Sequence, residues 1–164
     1  MSLIMRTTVR NAREFAEWAT CAAPGHPVTY HIGNLAVDRS THAALHLLAE
    51  TVLIFAECGF VTTSQAIMRL PLATATWYYA CRTGSGQAPR SILFGQCDAF
   101  TYRALEAMRD RQGSMSAARA IRDHIGCPEA TAVRYLADLT ERKLVEPAEP
   151  KGIRLSAEGL RMLS

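Results

Sequence analysis

The stretch Ser116–Ser164, SAARAIRDHIGCPEATAVRYLADLTERKLVEPAEPKGIRLSAEGLRMLS, decides how this chain is read. Ala117, Ala120 and Ile121 recur at the spacing of one half-buried helical face, which predicts a helix over Ala117–His124. Gly126, in Ile125-Gly126-Cys127, supplies the positive φ that a sharp turn between helices needs. Pro128 suits the first position of the next helix, where a missing N–H costs nothing. That helix is expected to run to about Arg142. Val133, Leu136, Ala137, Leu139 and Thr140 are expected to face inward, and Glu129, Ala130, Thr131 and Arg134 outward near its start. Lys143–Glu146 reads as a short strand, Pro147–Lys151 as a turn and Gly152–Leu155 as the return strand. Ser156 opens a closing helix with Leu160 and Leu163 inward.

Three runs carry a likeness to a known domain: the turn Ile125-Gly126-Cys127-Pro128, the run Thr131–Leu139, and the tail Ile153-Arg154-Leu155-Ser156-Ala157-Glu158-Gly159. Their order resembles the winged helix-turn-helix domain of bacterial regulators. The resemblance implies that the second helix lies in the major groove of DNA with its first residues at base edges. Here those residues are Pro128, Glu129, Thr131 and Arg134, with Tyr135 directed toward a phosphate. Arg134 is the candidate reader of guanine. Arg119 and Arg122 on the preceding helix, and Lys151 and Arg154 on the wing, would reach backbone phosphates. It also implies double-stranded DNA as partner and a two-fold homodimer. The competing reading keeps the fold but uses it for dimerisation or protein docking, and Glu129 and Asp138 on the supposed groove face favour it.

Charge bears on that choice. The chain of 164 residues carries a net charge of only +3. From Gln96 onward, 11 Lys+Arg stand against 10 Asp+Glu, a difference of +1. DNA-binding domains are usually more basic, because phosphate neutralisation supplies most of their affinity. A hydrophobic share of 49% and a charged share of 20% give a chain able to bury a core and argue against disorder. No apolar run is long enough for a membrane span, and the N-terminus lacks the apolar region of a signal peptide. The five cysteines are scattered and odd in number, as expected of reduced thiols in a cytoplasm.

The first half reads as helix, strand, helix, strand, strand. Asn11 caps a helix over Ala12–Ala22, with Phe15, Trp18 and Ala19 on one face. Val28–Val37 reads as a strand in which Gly33 marks a bulge or a close backbone approach. Asp38 or Ser40 caps the next helix, about Thr41–Cys58, and Gly59 ends it. Phe60–Arg69 and Ala73–Arg82 follow as two strands, which predicts a three-stranded antiparallel sheet. Thr83–Pro89 is rich in Gly and Ser and reads as a linker. Ser91–Phe94 is a short strand or part of the join. Asp98–Arg111 is a helix with Phe100, Leu105 and Met108 inward, ended by Gly113.

The pattern Gly25-x-x-x-x-Tyr30-His31-x-Gly33-x-Leu35-x-x-Asp38-Arg39, with Gln65 and Tyr79-Ala80-x-Arg82, resembles a class of small proteins encoded in phage and prophage genomes. The class brings no settled activity. Tyr30, His31, Asp38 and Arg39 are a candidate partner contact. Packing by Tyr30, an exposed His31 and capping by Asp38 form the plainer account.

Other constellations are weaker. His42, His46 and Glu50 share a helix face, but no H-E-x-x-H run is present and a solvated face is expected, so no metal is assigned. Thr83-Gly84-Ser85-Gly86 lacks the G-K-S/T ending of a phosphate loop. Cys97 and Cys127 have no base beside them, and the aromatic run Trp77, Tyr78, Tyr79 reads as sheet core. No catalytic residue and no cofactor are implied, so no enzyme is expected.

The expected architecture is α+β. A helix and three-stranded antiparallel sheet module spans residues 1–83, a linker 84–95 and a winged helix-turn-helix domain 96–164. The expected function is that of a phage- or prophage-derived DNA-binding regulator. The alternative is a protein-binding inhibitor or adaptor of the anti-CRISPR kind, with a host protein as partner.

Overall fold

The computed structural model describes residues 7–111 and 115–164. The expected helix end at Gly113 lies outside them. The fold is α+β, with eight helices among the described residues, a mixed four-stranded sheet and a C-terminal β-hairpin. The chain divides after Gly95 into two compact units.

In the first unit, β1 (Thr7–Thr8) leads to α1 (Ala12–Cys21), β2 (Pro27–Ile32), α2 (Leu35–Thr41) and α3 (Ala43–Glu57). β3 (Val61–Arg69), β4 (Thr74–Arg82) and α4 (Arg90–Leu93) complete it. The Asn11 carboxamide caps α1 by accepting the Glu14 N–H at 2.9 Å. Phe15 and Ala19 on α1 and Leu48, Val52 and Phe55 on α3 are buried together with Val28 and Ala80 of the sheet. Phe15 and Phe55 meet edge to face at 5.3 Å, a favoured aromatic geometry.

The sheet corrects the expectation of three antiparallel strands. Its order is β1-β2-β4-β3, and β1 pairs with β2 in parallel. A two-residue strand carries no alternation, so nothing in its sequence announces it. The strand expected over Val28–Val37 stops at Ile32, because Gly33 takes φ +137° and Asn34 caps α2 instead. The bulge falls at Tyr30, between Thr29 and His31, rather than at Gly33. Asp38 and Ser40 lie inside α2, so neither caps α3; its N-cap is His42, without a side-chain hydrogen bond. The stretch 84–95, read as a linker, contains α4 with Ser91 and Ile92 buried, and α4 packs on α1. The Thr83 hydroxyl donates to the Gly59 carbonyl at 2.6 Å, pinning the start of that stretch to the end of α3.

The second unit holds α5 (Ala99–Asp110), α6 (Ala117–Ile125), α7 (Glu129–Glu141), β5 (Val145–Pro147), β6 (Ile153–Leu155) and α8 (Ala157–Met162). Its core gathers Leu105 and Met108 of α5, Ile121 of α6, Ala132 and Leu139 of α7, Leu144 and Met162. Asp98, Ser116 and Ser156 cap their helices through side-chain oxygens. Gly126 at φ +72° ends α6. Lys143 takes the same left-handed role after α7, at φ +57°, and the strand expected from Lys143 begins at Val145.

The inward face of α7 is rotated from the expected one. Ala132, Tyr135, Leu136 and Leu139 pack on the core, whereas Val133 is 51% exposed and Ala137 and Thr140 are exposed. On α8, Gly159 and Met162 are buried and Leu160 is exposed, again against expectation. A Cβ on Gly159 would collide with the Leu144 carbonyl, so the hairpin approaches α8 at a residue with no side chain.

Candidate functional site

The two sets of residues singled out in the sequence lie in different units. In the second unit, α6 and α7 meet across the Gly126 turn, with the Gly126 N–H donating to the Arg122 carbonyl at 2.8 Å. Pro128 stands just before α7, so the helix starts at Glu129, whose carboxylate lies near the positive end of the helix dipole. Thr131, Arg134 and Tyr135 line one shallow cavity of about 350 Å³ with Asp98, Thr101 and Asp138. Arg134 is exposed and makes no ion pair among the described residues.

Tyr135 is more a packing residue than a surface one. Its ring lies 6.3 Å from that of Phe100 and packs on the core of the unit. Burial raises its phenol above the ordinary value, with the charges of Asp98 and Cys127 adding to the shift and Arg134 opposing it. Beyond it, Arg142 at the end of α7 donates to the Gln96 carbonyl at 2.9 Å, which ties α7 to the residues leading into α5.

The other basic candidates differ in how they are held. Arg122 pairs with Asp123 at 2.8 Å and Arg119 with the same carboxylate at 3.7 Å. Arg154 pairs with Glu146 across the hairpin at 2.7 Å. Lys151, between β5 and β6, is exposed and has no ion pair among the described residues. It lines a separate groove of about 420 Å³ with Arg111, Met115, Leu136 and Ile153. The tertiary structure thus gathers Thr131, Arg134 and Tyr135, and leaves Arg119, Arg122, Lys151 and Arg154 in other places. Asp98, which lines the same cavity as Arg134, was missed because it stands at the start of another helix, far from Arg134 in the sequence.

Compared with known proteins, the chain matches no family model, no curated protein and no solved structure.

In the first unit, the His31 and Asp38 side chains meet at 2.8 Å between Nε2 and Oδ2. Asp38 Oδ2 also accepts the Asn34 N–H at 3.0 Å. Gly33 lies against this pair: a Cβ there would sit 2.7 Å from Asp38 Oδ2 and 3.1 Å from His31 Nε2. The spacing His31-x-Gly33-x-x-x-x-Asp38 therefore folds back on itself to join the end of β2 to α2. The His31 side chain is 13% exposed, not solvated as the plainer sequence reading had it. Its ring lies 5.8 Å from that of Tyr78. Tyr30 is buried and Arg39 is half-buried on α2. Burial, and then Tyr78, pushes the Tyr30 phenol above its ordinary value of 10.0.

Arg82, in the same sequence pattern, stacks over Phe60 at 3.5 Å from the ring centre and donates to the Phe60 carbonyl at 3.3 Å. Its backbone bonds Gly25 and His26, so this part of the pattern closes a corner of the sheet. Among the described residues, no group of three His, Cys, Asp or Glu side chains is arranged to hold a metal. No described helix is long and apolar enough to cross a membrane.

Proposed function

We propose that the chain binds double-stranded DNA through its second unit, read as a winged helix in which α7 is the recognition helix and the β5–β6 hairpin the wing. In this reading it is a phage- or prophage-derived transcriptional regulator acting as a homodimer. One observation carries the reading. Arg134 stands exposed and without an ion pair among the described residues, early on the helix that follows the Gly126 turn. A free guanidinium there has the fork of donors that guanine O6 and N7 accept. Lys151, likewise exposed on the hairpin turn, suits a backbone phosphate.

A second reading, a protein-binding inhibitor or adaptor of the anti-CRISPR kind, is favoured by the carboxylates of Asp98 and Asp138 beside Arg134. It is favoured too by the acidic partners of Arg119, Arg122 and Arg154, since an arginine already held by a carboxylate releases fewer counterions on meeting DNA.

Titration of labelled duplex at low and moderate salt separates the two. Under the DNA reading, Arg134→Ala weakens specific binding by about 1–3 kcal/mol. Lys151→Ala acts evenly across sequences and lowers the salt slope by about 1. Unchanged affinity in both variants, or no binding to any duplex at low salt, would overturn the DNA reading.

A further inference from the structure

β3 is an edge strand whose outer side bonds to nothing among the described residues. It pairs with β4 alone and lies at the end of the sheet order. Beyond Val61, all its residues are exposed. Ile67 is 71% and Met68 39% exposed, and Leu72 in the turn beyond is 100% exposed. Proteins usually blunt such an edge with a bulge, proline, lysine or an inward charge. Here the β3–β4 register runs without a break from Val61 to Arg69, and Arg69, at the far end, is the strand's single charge.

The inner ladder fixes which backbone groups point outward. Leu70 and Ala73 exchange both hydrogen bonds, and the Thr83 N–H donates to the Phe60 carbonyl. In an antiparallel pair, bonded and non-bonded positions alternate. Between these two anchors the even-numbered residues of β3 therefore bond β4. Val61, Thr63, Gln65, Ile67 and Arg69 then turn both N–H and C=O away from the sheet.

We propose that this edge is a self-pairing interface, at which β3 of one chain joins β3 of a second copy antiparallel, about a two-fold axis at Gln65. That register is the one that uses all nine residues. It sets Val61 opposite Arg69, Thr63 opposite Ile67, and Gln65 opposite Gln65. Each of these is a position where both strands turn their backbone groups toward each other, which yields roughly ten hydrogen bonds, two for each narrow pair. On the other face, Met68 meets Thr62 and Ser64 meets Ala66.

A second copy matches this edge in length and in the alternation of its outward backbone groups, and its one charge, Arg69, lies at the end of the strand. A two-fold antiparallel pair keeps the two Arg69 side chains at opposite ends, about 27 Å apart at the rise of an extended strand. A parallel pair would stack them. An isologous contact of this kind closes at two subunits, so it gives a dimer rather than a fibre. The pairing stands on β3 alone and holds whether or not the second unit binds DNA.

The experiment is a solution mass measurement on the full chain without DNA, by light scattering over a concentration series. The wild type should approach twice the 18.0 kDa chain mass as concentration rises. Gln65→Lys puts two like charges face to face at the axis, and so does Gln65→Glu. Each variant should remain at the mass of one chain, with an unchanged far-ultraviolet spectrum, because the Gln65 side chain is exposed and its backbone takes no part in the inner ladder. An equal mixture of the two should regain the doubled mass, which a misfolded variant could not do. A wild type that stays monomeric to its solubility limit overturns the proposal. So does a dimer that neither variant dissociates, or a mixture that fails to reassociate.

Discussion

Gly33 carries a tight constraint in the first unit. Its φ of +137° is open to few residues with a side chain, and a Cβ there would press on the Asp38 carboxylate at 2.7 Å. Gly33→Ala should destabilise the fold by about 1–3 kcal/mol through backbone strain and displacement of the His31–Asp38 contact. A urea titration of the variant against wild type measures this, and an unchanged midpoint would refute it. Tyr30 makes a prediction in pH. Its phenol is raised above 10.0, so the unfolded chain gives up the proton first as pH rises. The stabilisation is whole below about pH 10 and is lost as pH climbs toward the folded value. Tyr30→Phe should flatten the fall in urea midpoint above about pH 10. At this scale the sequence pattern was legible as a cluster, but its geometry was not. Asp38 follows His31 by seven positions, and only the backbone reversal at Gly33 and Asn34 brings them together.

At the scale of the element, α7 is where reading and structure part. The apolar residues Val133, Leu136, Ala137 and Leu139 suggest one stripe, while Ala132, Tyr135, Leu136 and Leu139 form another one position around. Both sets satisfy helical spacing, so periodicity alone left the choice open. The choice falls to what α7 packs on: Ala132 and Leu139 join the core that holds Leu105 and Ile121, and Val133 stays outside it. Leu139→Ala should therefore cost about 2–5 kcal/mol, as a buried leucine does. Val133→Ala should change stability by less than about 0.5 kcal/mol, as at an exposed site. Thermal melts of the two variants decide it, and equal losses would restore the first stripe. The same rotation leaves Arg134 outward beside Asp98 and Asp138, a setting that bears on whether DNA or a protein is met there.

At the scale of the whole molecule, each unit has its own core. That of the second unit draws only on residues from Ala104 onward. A chain limited to Gln96–Ser164 should accordingly melt in one cooperative transition, read by circular dichroism. A gradual, featureless melt would show that its core needs the first unit. The weak charge balance of this unit, +1 over its length, is a whole-molecule fact that only the salt dependence of binding can turn into a statement about partners.

What the sequence determined by itself was the presence of α1, α3, α5, α6, α7 and α8, the cap at Asn11, the start of the last helix at Ser156 and the turn at Gly126. These are local matters of spacing, hydrogen-bonding side chains and φ, decided within a few residues. Tertiary structure decided the parallel pairing of β1, the reversal after Ile32, the face α7 buries and the open edge of β3. Each depends on which distant segment supplies a bonding partner or a space to fill, and no short window of residues contains that partner.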